Sequence, residues 1–225
     1  MLKIGHRGAK GHVAENTLAS FQKAIDLGVD AIELDVHCCA TGEIVVIHDD
    51  TIDRTTTGTG LVSKLSLSQL KNVSIDVLHF IPTLQEVLDF ISGRCLVNIE
   101  LKGKNTAEKT MLILDTYINE KNWKHEQFLV SSFDWLALEQ VRKHNQFMPI
   151  GVLTHTDIAL AIGFAKFCKA KAIHPYYHLL TPENVAQMKA ENLNIYPWTV
   201  NEPEDISLVK SFNVDGIISD YPERL

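Results

Sequence analysis

Short β-branched runs alternate along most of this chain with amphipathic stretches that repeat at helical spacing. The runs cover Glu43 to Ile47, Cys95 to Glu100, Gln127 to Val130, Pro149 to Leu153, Lys171 to His174, Asn194 to Val200 and Gly216 to Ser219. A strand followed by a helix returns the chain to the same end of the sheet, so this rhythm favours parallel pairing. Helix starts are marked at Asn16-Thr17, at Thr83 with Glu86 in the capping position, and at Thr181-Pro182; Gly28 and Gly93 mark helix ends. Strands at Ile4, Ile32, Val97, Leu129, Gly151, Ile173, Tyr196 and Ile217 make about eight units, the number that closes a (β/α)8 barrel. The competing open doubly wound sheet lacks its Gly-x-Gly-x-x-Gly loop after the first strand. The predicted fold is an α/β, TIM-type barrel.

The chain has 225 residues, which suits one sizeable core, so residues 1–225 are read as a single barrel domain. Residues 50–81, after the second strand, break the rhythm. They are too long for a simple loop and too polar for a core strand, and they read as an insertion, either a lid or small subdomain beside the barrel mouth or a solvated excursion. No segment is long and apolar enough to span a bilayer. The first residues enter a strand-like run directly, which predicts no leader and a cytoplasmic protein. Four cysteines, at 38, 39, 95 and 168, match neither a disulfide framework nor a zinc knuckle and read as small core residues. A formal net charge of -7 argues against nucleic acid or an anionic membrane as partner, so an anionic small molecule needs a local positive site.

Polar groups arrive in clusters on apolar strands: His6-Arg7-Gly8, Glu33-Leu34-Asp35 and His48-Asp49. Charge in such company is tolerated where it is paired, metal-bound or functional. Side chains two apart share a strand face, so Glu33 and Asp35 point one way while Ile32, Leu34 and Val36 point to the helices. Asn98, Glu100 and Lys102 repeat that pattern. Three convergent acids repel one another unless a cation relieves them, and all-oxygen ligation points to Mg²⁺, Ca²⁺ or Mn²⁺. Structural ion pairs of Glu33 and Glu100 with Arg7 and Lys102 are the plainer alternative. His6 and His48 offer an acid/base pair near neutral pH, and Arg7 and Lys102 offer a fork and a point charge for phosphate oxygens. The set fits cleavage of a phosphodiester. His37 shares the face of Glu33 and Asp35 and reads as either a supporting partner or a packed histidine. For His174, Tyr176 and Tyr177, near the end of the sixth barrel strand, ordinary packing is the simpler reading. Ser131 and Ser132 lack the surroundings of a nucleophile.

These residues also resemble the glycerophosphodiester phosphodiesterase family. The likeness is carried by His6-Arg7-Gly8, Glu15-Asn16-Thr17, Glu33-Leu34-Asp35-Val36, Val46-Ile47-His48-Asp49, Arg54-Thr55-Thr56, Pro82-Thr83-Leu84 with Glu86, and Asn98-Ile99-Glu100-Leu101-Lys102. Ser132-Phe133, Trp198-Thr199-Val200-Asn201 and Asp215-Gly216-Ile217-Ile218-Ser219-Asp220 extend it almost to the C-terminus. The stretch from Val36 to Glu43 departs from it, lacking the acidic residue that precedes the glycine of the family's turn. The resemblance implies a TIM-type barrel with an insertion after the second strand, and Ca²⁺ or Mg²⁺ held by Glu33, Asp35 and Glu100. It implies His6 and His48 as general acid and base, Arg7 and Lys102 on the phosphate, and Trp198 lining the glycerol or headgroup pocket. The implied products are sn-glycerol 3-phosphate and an alcohol, by attack of the glycerol 2-hydroxyl through a cyclic phosphate. A lysophospholipase D-type enzyme and a catalytically silent ligand-binding barrel are the alternatives.

Overall fold

The structure is a computed structural model that describes residues 1–225. The chain forms β1 (Leu2–Gly5), α1 (Leu18–Asp26), β2 (Ala31–Cys38), β3 (Ile44–Val46), α2 (Leu67–Lys71), α3 (Leu84–Ile91) and β4 (Leu96–Leu101). It continues through α4 (Thr106–Glu120), β5 (Phe128–Ser132), α5 (Trp135–His144), β6 (Ile150–Thr154), α6 (Ile158–Phe167), β7 (Ala172–Pro175), α7 (Pro182–Ala190), β8 (Asn194–Ile195), α8 (Pro203–Ser211) and β9 (Gly216–Ser219). Eight strands run in the order β8-β7-β6-β5-β4-β2-β1-β9, all neighbours parallel. The ends of this order meet through backbone bonds from Asp215 to Ile195, Ile218 to Pro197 and Val200 to Ile218. The result is the expected TIM-type barrel. No helix is long and apolar enough to cross a membrane.

The run at Glu43–Ile47 behaves differently from the others. Its core, β3, pairs antiparallel with β2 at Val36, His37 and Cys38 and stands outside the barrel order. The turn Cys39–Glu43 is too short for a crossover helix, so only a hairpin can form there. Beyond it the excursion carries a small core of its own, in which Val45, Ile47, Ile52, Val62, Leu70, Ile75 and Ile81 are buried together with Cys39. Leu61, Val77, Leu78 and Phe80 of the same segment remain exposed. The four cysteines are free; Cys39 and Cys168 are buried, Cys38 and Cys95 half-buried.

Strand periodicity builds two environments. Ile32, Leu34, Val36, Val97, Ile99, Leu101, Val130, Val152, Ile173 and Ile217 face outward and join the helices in one 43-residue apolar cluster. The opposite faces line the barrel, where a smaller cluster of Ile4, Ala31, Ala172, Tyr196 and Ile218 leaves room for polar groups. Helices are fastened as the caps predict: Thr17 accepts from Ser20, and Thr83 and Thr181 form reciprocal boxes with Glu86 and Asn184. Leu34 is wholly buried between Glu33 and Asp35 on the reverse face. Leu34→Ala is therefore expected to cost about 2–5 kcal/mol, read from urea unfolding, and to lower the melting temperature.

Candidate active site

Most side chains singled out for chemistry lie toward or just beyond the C-terminal end of a barrel strand; Glu33 sits deeper, within β2, and His48 follows β3. The loops at that end bear the active sites of barrels of this type. The turn after β1 is unusually tight. Gly8 has φ +88°, and a Cβ there would sit 2.4 Å from Ser20 Oγ, so only glycine fits. Arg7 beside it is held at φ +50°, a costly conformation for a residue with a Cβ. Its backbone N–H donates to Glu33 Oε2 at 2.9 Å, and its guanidinium donates to Glu15 Oε1 at 2.7 Å and lies 3.3 Å from Asp35 Oδ2. Asn16 Nδ2 donates to the same Asp35 oxygen at 2.9 Å.

Glu33, Asp35 and Glu100 are brought together as the strand pattern predicts, paired across β2 and β4 with Asp35 opposite Glu100. Their ligand atoms lie within 4.8 Å of one another. One oxygen of each, Glu33 Oε1, Asp35 Oδ1 and Glu100 Oε1, is buried and accepts no hydrogen bond. Lys102 Nζ is 3.0 Å from Glu100 Oε1 and 3.9 Å from Asp35 Oδ1, which supplies charge without the alignment of a hydrogen bond. Burial, then the charge of Asp35, raises Glu100 to about 7, and burial with both neighbouring acids raises Glu33 well above the usual range. Arg7 and Lys102 are held above their ordinary values by these acids, against the opposing effect of burial. Two fixed cations do not quench three carboxylates. Three clustered carboxylates, with Glu33 Oε1 and Asp35 Oδ1 lacking any hydrogen bond and Glu100 Oε1 paired only with Lys102, make the donor set of a hard divalent cation, so the residues present fit such an ion.

The two histidines are each tied to a carboxylate. His6 Nδ1 is 2.6 Å from Asp220 Oδ1, and Asp220 is held in turn by Asn201 Nδ2 at 2.9 Å. His48 Nδ1 is 2.6 Å from Asp49 Oδ1, and its Nε2 is 3.1 Å from Lys102 Nζ. An Nδ1–H donated to a carboxylate leaves the Nε2 lone pair free on His6, while on His48 that lone pair accepts from Lys102 Nζ. Burial lowers both imidazoles below their ordinary value despite the nearby acids, so both are neutral at pH 7. Arg54, from the excursion, donates to both Asp49 and Glu15 and ties that segment to the histidine and arginine supports. Burial raises Glu15, yet the bonds from Arg54 and Arg7 hold it at about 2. His37, buried, meets the backbone carbonyl of His48 through Nε2 at 3.0 Å, which makes it a support for that loop.

His6, Arg7, Glu33, His48, Glu100, Lys102 and Trp198 line one cavity of about 250 Å³, with Asp35 behind them. Trp198 meets the Phe133 ring edge-on at 5.4 Å and donates its Nε1–H to His174 O at 2.8 Å. A larger cavity, of about 570 Å³, opens at the other end of the barrel among Leu2, Leu96, Leu129 and Phe147, away from the acids and histidines. Asp49, Asp220, Glu15, Arg54 and Asn201 carry no individual role in the sequence pattern, although each stands in a quoted motif, and Asn16, there only a helix-start marker, holds Asp35. His48-Asp49 was readable as a neighbouring pair. For Asp220, its place after the last strand was the only local signal. His174, read as ordinary packing, lines the cavity with Trp198; Tyr176 packs on Trp198 at 5.6 Å, and Tyr177 Oη donates to Asp205.

Comparison with known proteins agrees with this geometry. The glycerophosphoryl diester phosphodiesterase family matches residues 6–224. The glycerophosphodiester phosphodiesterase of Caldanaerobacter subterraneus subsp. tengcongensis is 37% identical, with 100% of this chain and 96% of that one covered. That of Bacillus altitudinis is 34% identical over 100% of this chain and 96% of its own. Among solved structures, an Oleispira antarctica phosphodiesterase in complex with the product sn-glycerol-3-phosphate superposes with a TM-score of 0.89 at 27% identity, covering 98% of this chain and 93% of that one. A match across nearly the whole chain, on the barrel and loops described above, establishes that this chain belongs to the glycerophosphoryl diester phosphodiesterase family.

Proposed function

We propose that the protein hydrolyses glycerophosphodiesters to sn-glycerol 3-phosphate and an alcohol, with a divalent cation and a histidine acid/base pair. The observation that carries this reading is the convergence of three buried carboxylates with two carboxylate-anchored histidines around one small cavity. Glu33, Asp35 and Glu100 would hold Mg²⁺, Ca²⁺ or Mn²⁺. When bound, such an ion supplies Lewis-acid stabilisation of charge developing on phosphate and hydroxyl oxygens.

The chain's own residues do the rest. Arg7 and Lys102 bind and orient the phosphate, a planar fork and a point charge on opposite flanks of the acids. Asp220 and Asp49 fix the tautomers of His6 and His48, so that one neutral imidazole takes a proton as the P–O bond forms. The other enters turnover carrying a proton taken from water and gives it to the departing alkoxide; in the second step the roles reverse, the first histidine returning its proton to the ring oxygen as the second takes one from the attacking water. Trp198, with the Phe133 ring edge-on to it, offers an apolar corner to the carbon part of the substrate. Attack by the substrate's own 2-hydroxyl, held beside phosphorus, would remove much of the entropic barrier, and water would open the cyclic phosphate in a second step. The partner is thus a small molecule.

The test is release of glycerol 3-phosphate from glycerophosphocholine and glycerophosphoethanolamine by chelator-treated protein, with Mg²⁺, Ca²⁺ or Mn²⁺ restored. Release that returns with at least one cation is expected. Silence with all three defeats the reading in favour of a binding-only barrel. Turnover of lysophospholipids alone would move the substrate to the acylated diesters.

A further inference from the structure

The cavity of about 570 Å³ lies at the opposite end of the barrel from the chemistry above. Leu2, Ala31, Leu96 and Phe128, each the first residue of its strand, line it. Side chains ordinarily fill the interior of such a barrel. Here Leu2, Leu96 and Leu129 pack on the cluster of Ile4, Ala31 and Tyr196 yet stay half-buried, so the floor is left open. Phe147, in the loop before β6, lines the same cavity at 74% exposure. The cavity runs inward as far as Asn98 and Tyr196, and its volume falls in the range of about 300–1,000 Å³ that small-ligand pockets occupy.

Charge is arranged around this cavity in one sense. Arg142, Lys169 and Lys171 line it against a single carboxylate, Glu126. None of the three cations forms an ion pair, whereas Lys143 and Lys166, close to them in sequence and off the cavity, pair with Glu139 and Glu191. Arg142 donates to the carbonyl oxygens of Cys168, Asn145, Gln146 and Lys169, which fixes its guanidinium without neutralising it. Lys169 and Lys171 are exposed and keep their ammonium donors for a ligand. On a chain of formal net charge -7, such a local excess of cations selects an anion.

The ligand that satisfies both parts has an apolar chain and one anionic head. A free phosphate gains nothing from the leucines, and an uncharged lipid gains nothing from the cations. Hydrolysis of both ester bonds of a diacyl phospholipid consumes two waters and yields one glycerophosphodiester and two fatty carboxylates. That shared origin rests on the phosphodiesterase reading above; the fit of the cavity to an anionic chain does not. We propose that the floor of the barrel binds a single-chain fatty carboxylate, its chain among Leu2, Leu96 and Leu129 and its head against Lys169 and Lys171, with Arg142 adding charge.

The experiment titrates the full chain with sodium dodecanoate below its micelle concentration, by calorimetry, and follows the methyl signals of Leu2, Leu96 and Leu129 by NMR. One saturable site is expected, with shifts at those three methyl groups. Decanoate should bind about tenfold more weakly, as two fewer buried methylenes imply. Lys169→Glu combined with Lys171→Glu should weaken dodecanoate at least about tenfold, the size of a lost charge-assisted hydrogen bond. Leu129→Phe, which fills the cavity, should abolish binding. Absence of a saturable site, or affinity unchanged by the lysine reversal, overturns the proposal, as does a dimer joined through this face that dodecanoate does not dissociate. Should the phenylalanine variant not fold, the lysine variant and the methyl shifts decide. Glycerol 3-phosphate release measured on the same protein separates the two readings: dodecanoate bound by a protein without turnover defeats the phosphodiesterase reading alone, and turnover without dodecanoate binding defeats this one alone.

Discussion

Replacing His6 or His48 by alanine is expected to lower kcat for glycerophosphodiester hydrolysis about 10²–10⁴-fold while leaving divalent-cation binding within a few-fold of wild type. Each imidazole touches the cavity, and each is anchored by a carboxylate at 2.6 Å, Asp220 for His6 and Asp49 for His48. Neither contributes an atom to the acidic cluster of Glu33, Asp35 and Glu100. The two readouts should therefore separate: turnover measured as glycerol 3-phosphate release, and cation binding by titration calorimetry. Near-wild-type turnover in either variant would remove that histidine from the chemistry. The direction with pH also follows. Burial lowers both histidines, so the base form persists below the ordinary imidazole value, and the acidic limb of the rate profile should lie below pH 6.5.

The second large effect concerns the acids. Asp35→Ala or Glu100→Ala is expected to abolish measurable cation binding and to reduce activity to background, because each removes one of the three clustered carboxylates. The cation-free protein should also have an inverted pH response. Glu100 titrates at about 7 in the fold, against 4.5 ordinarily, so the unfolded chain ionises first. Its contribution to stability is complete below pH 4.5 and is lost as pH rises through about 7. Glu33, also raised, adds in the same sense. A bound cation reverses this, stabilising by about 2.7 kcal/mol at a hundredfold excess over its Kd. Melting curves at pH 5 and pH 8, with and without Mg²⁺, should show the largest gain at pH 8. Equal gains at both pH values would contradict proton-linked binding to these carboxylates.

Much of this architecture was legible from local pattern. The two-residue repeat that sends Leu34 and Ile99 to the helices sends Glu33, Asp35 and Glu100 inward, because successive side chains on a strand face opposite ways. Caps at Thr17, Thr83 and Thr181 depend on a side chain reaching the backbone three residues on, and that too is local. The run at Glu43–Ile47 shows where such reading stops. It has strand composition, yet whether it joins the barrel or folds back as a hairpin depends on the length of its connection to β2.

The sequence by itself determined the alternation that builds the barrel, the inward face of each strand and the chemical types available at its mouth. Only the tertiary structure decided which of them meet. His6 and Asp220 stand 214 residues apart and touch because β1 pairs with β9 as the barrel closes. Arg54 bridges Glu15 and Asp49 because the excursion folds onto the loop after β1. His174 lies buried without a hydrogen-bond partner because Gly151, on the neighbouring strand, leaves it space. Backbone periodicity acts over a few residues and is written in order along the chain. Contacts across the barrel are set by strand register and closure, which arise only when the whole sheet has formed.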